Sequence, residues 1–390
     1  MVKALAFVER RGVTDHMNVL YLTMNPNRQS TTVPTEGWLR LLVDKGLQPV
    51  LVSRESGDFQ EWAAAHGTPT YEDALPAFDK LRPWIAMRSL WRLKRVVRKH
   101  NIELIHCNEQ DIYPFGKWLA HFCNLPIVVS IHFTMARDFC QWAFAGWGRP
   151  DRMFFVSGGN QDACQAGVDG IVPEGNQRVL ANGLDLRKFK PDPDLRHQTR
   201  NQWGVGDHPV VGVACALRPR KQLEHLIDAM CSSGLEDTHV VVAGAAIAED
   251  QHYAEKLIQA GREKLGDRLI YLGHLDDLRG FYNGLDAFVN TSQEEACSIS
   301  VIEALASGCP VVGYPSKSVD GQILPDGGEI VEQDNVLELS QVLSAWASDK
   351  EGLAARRHAA RETAEARFDI AKACEYLWRE YQAVLSETRA

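Results

Sequence analysis

The chain reads as an α/β protein made of two doubly wound domains, each a parallel sheet with helices on both faces. Three observations predict this. Short apolar, β-branched runs alternate with longer helix-patterned segments along the whole length, the way strands joined by crossover helices look in a sequence. The length of 390 residues exceeds one ordinary core and suits two. Between the halves lies 182–194, where Pro191, Pro193 and mixed charges read as a linker.

In the first half the strand candidates are, in order, 18–23, 48–53, 102–107, 126–132, 152–156 and 178–181. The run 126–132, Pro-Ile-Val-Val-Ser-Ile-His, is nearly continuous in apolar residues, as a strand buried on both faces should be. In the second half they are 209–214, 239–243, 268–272, 287–290, 310–312 and 329–331. The run 3–8 is either a first strand or a helix-like appendage, because periodicity does not separate the two. From Val336 onward the pattern is helical and ends in 368–385, where Tyr376, Leu377, Tyr381 and Leu385 recur at helical spacing. The expected division is therefore 1–185, 186–367, and a last helix over 368–390 that crosses back to the first domain. Two such domains facing each other put a ligand cleft between the carboxyl ends of both sheets.

Composition narrows the class. Hydrophobic residues make up 45% and charged residues 24%, as in a globular protein. No apolar run reaches the ~18–20 residues that span a bilayer, and the start lacks the pattern of a secretory signal. Nine cysteines, an odd number without a Cys-x-x-Cys pair, argue against a disulfide framework and a zinc site. The expected location is the cytoplasm. Residues 1–185 carry 20 Lys/Arg against 19 Asp/Glu, and the remainder 22 against 32. Neither half has the basic excess that nucleic-acid binding needs.

The most informative segment is Glu294-Glu295-Ala-Cys-Ser-Ile-Ser-Val-Ile-Glu303-Ala-Leu-Ala-Ser-Gly308-Cys-Pro310-Val-Val. It places Glu295 at the mouth of a helix and Glu303 eight residues on, and stops that helix at Gly308-Cys-Pro310. A helix N-terminus offers unpaired N–H groups and positive partial charge to a phosphate. A carboxylate further along takes two hydroxyls of a ribose or a sugar. Together they describe a nucleotide-sugar pocket; the plain alternative is a solvated helix start with a surface Glu at each end.

In order and spacing these residues resemble the retaining, metal-independent glycosyltransferases of family 4, which have the two-Rossmann GT-B architecture. The resemblance runs from about Asn18 to Leu385. Glu295-x7-Glu303 with Ala-Leu-Ala-Ser-Gly-Cys-Pro-Val-Val carries most of it. The lead from Leu272 to Ser292, the junction Asn182-Gly183-Leu-Asp185 with Phe189 and Pro191, and the strand ends Ile105-His106-Cys-Asn and Val129-Ser-Ile-His132 add to it.

The resemblance implies transfer of a hexosyl group from a nucleoside-diphosphate sugar to a hydroxyl acceptor, without metal or other cofactor. It assigns the diphosphate to Arg218, with Arg220 the lesser alternative, and Lys221, together with backbone amides around Cys297, Ser298, Ile299 and Ser300. It assigns ribose hydroxyls to Glu303, hexose hydroxyls to Glu295 and the base to the backbone near Gly273, His274 and Leu275. His132 is implied near the reacting centre, positioning donor and acceptor. No nucleophile is implied; the leaving phosphate helps deprotonate the acceptor on the same face. The chain departs from the family at Ala216, where the commoner Arg stands, and at Cys297 and Ser298, where an aromatic residue and Gly are usual. The loop 25–32 has no paired glycines.

Two other functions fit the same fold: a nucleotide-sugar epimerase or hydrolase, with only His132 and His106 as acid/base candidates, and a non-catalytic sugar-nucleotide-binding subunit. Asp192-Pro-Asp194 is a literal Asp-x-Asp, but its proline-broken setting reads as a chance match rather than a metal site. Segment 80–100 holds eight Lys/Arg with Trp84 and Trp91. It is either a solvated helix face or a peripheral contact for an anionic membrane. Aromatic residues over 139–147 either meet the acceptor or pack as a lid.

Overall fold

The computed structural model describes residues 16–28, 31–78 and 81–389; the run 3–8 lies outside them. Among the described residues thirteen strands form two sheets. The first contains β1 (Met17–Thr23), β2 (Leu47–Ser53), β3 (Thr70–Glu72), β4 (Leu104–Cys107), β5 (Ile127–Ile131), β6 (Arg152–Phe155) and β7 (Gln177–Val179). The second contains β8 (Val210–Ala214), β9 (His239–Ala243), β10 (Leu269–Gly273), β11 (Ala287–Asn290), β12 (Val311–Gly313) and β13 (Gly328–Ile330). Their orders are β3-β2-β1-β4-β5-β6-β7 and β10-β9-β8-β11-β12-β13, with parallel pairing at β1–β4 and β8–β11. Each order runs outward from its first strand in both directions, so each sheet has a switch point, at β1/β4 and at β8/β11, where ligands of open α/β sheets bind.

Every strand predicted over 18–331 is present, shifted by two residues at most. β3 was not foreseen: three residues after Gly67 and Pro69 are too few to show a period. β4 starts later than the apolar run because the amide of Ile102 instead donates to Val97 O, closing the preceding helix.

By contacts the chain groups into two units. One comprises the residues up to Val129, Pro150–Arg152 and Trp378 onward; the other comprises Ser130–Arg149 and Met153–Leu377. In the first, β1 is wholly apolar at its centre, with Val19, Leu20, Tyr21 and Leu22 fully buried. The last helix, Ile370–Arg389, reaches this unit through Tyr381, whose hydroxyl is 2.9 Å from that of Tyr21 and 2.5 Å from Nδ1 of His106. His106 is thus fully buried in an aromatic and hydroxyl cluster.

In the second unit the sheet has apolar residues on both faces. Val241, Leu305 and Val311 belong to one layer, and Val240, Val242 and Val312 to the other. The helix Ile299–Ala306 packs on the first of these. It ends as its sequence predicts: Gly308 takes φ +68°, its amide donates to Leu305 O at 2.9 Å, and the amide of Cys309 donates to Ala304 O at 2.8 Å. That pair of bonds is a Schellman stop, which favours glycine at the left-handed position.

Candidate active site

The switch point of the second sheet gathers most of the predicted residues. The loop after β8 carries Arg218 and Lys221, and the loop after β11 carries Glu295. Two backbone links stitch these loops together: Thr291 Oγ1 donates to Lys221 O at 2.7 Å, and the Gln293 amide to Arg220 O at 3.0 Å. Lys221 Nζ makes an ion pair with Glu295 Oε1, both side chains being only 13% and 12% exposed. Ser292 Oγ donates to the same carboxylate oxygen at 2.8 Å. The backbone of Glu295 is clamped as well, its amide bonding Ser316 O at 3.0 Å and its carbonyl accepting from Ser318 Oγ at 2.5 Å. Ser316 and Lys317 hold this turn at φ +46° and +64°, a conformation costly for residues with a side chain and tolerated where the surroundings fix it.

Arg218 does not join that pair. Its Nε donates to Asp250 Oδ2 at 2.8 Å, in the loop after β9. Of the two predicted cations, Lys221 meets Glu295, and Arg218 is held by a carboxylate that no motif singles out.

The helix Ile299–Ala306 begins after Ser298, which makes no side-chain cap. The Ser298 amide donates to Gln322 Oε1 at 2.9 Å, and Gln322 Nε2 returns a bond to Ser298 O at 3.1 Å. Of the amides predicted around Cys297, the structure therefore commits that of Ser298; those of Ile299 and Ser300 lie in the first turn, beyond reach of any intrahelical carbonyl. The Cys297 thiol is pushed up to about 12 by burial, so it stays protonated. One turn on, Glu303 accepts a hydrogen bond from Tyr282 OH at 2.8 Å. Burial pushes its carboxyl up to about 7, against the opposing pull of the Tyr282 bond and of Lys188.

Gly273 ends β10 at φ +68°, and its carbonyl accepts the Gly244 amide at 2.7 Å. His274 is 74% exposed, with Nε2 3.4 Å from Asp276, whereas Leu275 packs partly on the core. His132 follows β5 and is buried at 5% exposure. Glu294 pairs with Lys317 at 2.9 Å on the surface. The Asp-x-Asp is a helix start: Asp192 Oδ1 accepts the Leu195 amide at 3.0 Å. Among the described residues no group of three His, Cys, Asp or Glu side chains is set to hold a metal ion.

Sequence reasoning missed Glu109. It is fully buried just beyond β4 and accepts bonds from Thr23 Oγ1 at 2.7 Å, Asn108 Nδ2 at 2.9 Å, the Met24 amide at 3.0 Å and Asn25 Nδ2 at 3.3 Å. It thereby anchors the start of the loop 25–32. Burial raises its carboxyl, and these four donors oppose the rise. A polar residue after a strand carries no signal of such a role.

Two parallel sheets with a cation–carboxylate site at a switch point define a class, and comparison with known proteins gives it its name. Residues 195–367 match the family model for glycosyl transferases group 1, and residues 36–188 that for Glycosyltransferase Family 4. The chain is a glycosyltransferase of the GT-B fold. It is 23% identical over 324 residues to the lipopolysaccharide core biosynthesis mannosyltransferase LpcC of Rhizobium leguminosarum, covering 81% of this chain and 88% of that one. It is 22% identical over 254 residues to the alpha-monoglucosyldiacylglycerol synthase of Streptococcus pneumoniae, covering 59% and 55%. Its fold matches Anabaena Alr3699/HepE in complex with UDP at TM-score 0.83 and 19% identity, over 94% of this chain and 100% of that one.

Proposed function

We propose that the protein is a retaining, metal-independent hexosyltransferase that takes a nucleoside-diphosphate sugar and delivers the sugar to a hydroxyl acceptor. The observation that carries this is the Lys221–Glu295 pair at the β8/β11 switch point, beside the start of the helix that bears Glu303. An incoming diphosphate competes with Glu295 for Lys221. Once Lys221 turns to phosphate, the Glu295 carboxylate, still held by Ser292, is released to accept hexose hydroxyls. Arg218 adds a second cation when it leaves Asp250, and the first-turn amides of Ile299 and Ser300 add dipoles. Glu303 takes the ribose hydroxyls as a carboxylate, the base lies along Gly273, His274 and Leu275, and His132 serves the acceptor side. The leaving phosphate accepts the acceptor's proton on the face from which it departs.

The complexes of Anabaena Alr3699/HepE with UDP and with UDP-glucose favour a nucleotide-sugar donor. The names of the relatives favour an acceptor in a lipopolysaccharide core or a glycolipid. Such acceptors suit a peripheral enzyme at the inner face of the cytoplasmic membrane. The helix Pro83–Lys99 supports that placement: it buries Leu90, Leu93 and Val97, while Trp84 is 64% and Trp91 54% exposed among its basic residues. No helix among the described residues is long and apolar enough to cross a membrane.

Mass spectrometry of donor turnover tests the assignment. Lys221→Ala and Glu295→Gln should each lose a factor of about 10²–10³ in rate, with unchanged activity in EDTA for the wild type and an axial product linkage from an axial donor by NMR. Wild-type rates in both variants would remove the site.

A further inference from the structure

A second cavity lies at the opposite end of the strands that carry the donor residues. Glu295 follows the carboxyl end of β11, whereas Asp286 stands just before its amino end. There a cavity of about 490 Å³ opens between the helix Pro193–Trp203, the amino ends of β8 and β11, and the junction of the helices Val336–Ser348 and Lys350–Arg367. That volume is typical of small-molecule sites.

Its wall has two chemistries. At the base, Asp286 accepts from Arg196 Nη2 at 2.5 Å and Arg200 Nη1 at 3.2 Å. One carboxylate thus serves two guanidiniums, whose other hydrogen bonds go to the carbonyls of Asn283, Leu285, Gly284, Gly206 and His208. Arg357 lies behind them outside the lining, its own Nη1 spent on Leu285 O. Burial and the neighbouring arginines pull Arg357 below the usual arginine range. At the mouth Arg356 stacks 5.1 Å over the Trp346 ring and pairs with Asp349 at 2.7 Å, yet its Nε is buried without an acceptor. Lys350 is exposed at the rim with no carboxylate partner among the described residues. Arg196, Arg200, Lys350 and Arg356 therefore line the cavity with Asp207 and Asp286, and Asp349 stands beside Arg356, a small excess of positive charge. The remaining wall is mostly apolar, led by Leu343, Trp346 and Leu353, with His197 and Asn201 on one side.

We propose that this cavity binds a small organic anion, a phosphate or carboxylate group carried on a flat apolar ring, at a site separate from the donor pocket. The charged group sits towards Lys350 and Arg356, the cations of the lining with donors unspent among the described residues, and the ring lies along Trp346 and Leu343. Excess cations in a partly desolvated wall favour an anion more than the same charges in water would, and the apolar side selects against a bare inorganic ion.

Calorimetric titration of the full chain with phenyl phosphate tests this. Saturable binding is expected, tighter than that of inorganic phosphate, weakened about tenfold or more by Lys350→Glu and left within about twofold by Lys221→Ala. Amide exchange over 343–356 should slow on addition of phenyl phosphate, a readout that does not depend on a variant folding. No saturable binding, equal affinity for inorganic phosphate, an unchanged constant in Lys350→Glu, loss of binding in Lys221→Ala, or unaltered exchange over 343–356 would each overturn the proposal. Because Lys221→Ala disables the donor pocket alone, failure there is distinguishable from failure of the proposed transferase.

Discussion

Glu303 shows how one residue's surroundings set a measurable pH dependence. Its carboxyl is raised from 4.5 to about 7 by burial. The unfolded chain ionises near the ordinary value, so between these limits the unfolded state releases its proton first. Stability from this group is therefore fullest below the unfolded value and is lost as pH rises towards 7, by about 3 kcal/mol over the window. Glu303→Gln should abolish that slope, giving a variant whose melting temperature gains on the wild type between pH 5 and 7 by about a few degrees. Parallel melting curves across that range would refute the assignment. Donor affinity should move the other way, weakening as pH falls below about 7, because a protonated Glu303 accepts fewer hydroxyl bonds. The eight-residue spacing from Glu295 to Glu303 was legible in the sequence, since it brackets the start of one short helix, with Glu295 before it and Glu303 inside it. The partners were not: Tyr282 for Glu303 comes from the helix Arg279–Gly284 and Asp250 for Arg218 from the turn after β9, and their meeting depends on the sheet order.

Among elements, the stop of the helix Ile299–Ala306 and the loop start held by Glu109 respond differently to substitution. Gly308 at φ +68° would bring an added Cβ within 3.0 Å of Pro191 Cγ and 3.2 Å of Arg357 O. Gly308→Ala should thus lower stability by about 1–2 kcal/mol from the left-handed backbone alone, read as a lower urea midpoint. Glu109→Ala removes the acceptor of four donors at once, and each buried donor left unpaired costs about 1–3 kcal/mol. Faster amide exchange over 24–28 is the expected result; unchanged exchange there would show that the loop is held by other means. The Gly308 stop was readable because glycine, then proline, punctuates an apolar helix. The Glu109 anchor was hidden because Thr23 and Glu109 are 86 residues apart. β3 was hidden for a different reason, three residues being too short for a two-residue period to register.

At the scale of the molecule, the sequence made the two sheets legible because parallel strands buried on both faces are nearly continuous apolar runs. What it did not mark is that Ser130–Arg149 and Met153–Leu377, the second of which holds β7, group with the second sheet, because long-range packing sets those contacts. The last helix was expected to return to the first domain, and the residues from Trp378 on group with β1 to β4. Tyr381 is fully buried there, bonded to Tyr21 and His106. Tyr381→Phe removes both bonds and should destabilise by about 1–3 kcal/mol, read as a lower thermal midpoint; an unchanged midpoint would show that the two bonds hold nothing.

The proposed transfer rests on Lys221 gripping a diphosphate for which Glu295 is the internal competitor. Titration calorimetry with UDP and GDP on the wild type, Lys221→Ala and Glu295→Gln tests it most directly. For whichever nucleotide binds, Lys221→Ala should weaken affinity at least about tenfold, and Glu295→Gln, which frees the lysine, should bind the sugarless diphosphate as tightly as the wild type or tighter. Equal affinity in the wild type and Lys221→Ala, or a loss in Glu295→Gln as large as in Lys221→Ala, would contradict the account.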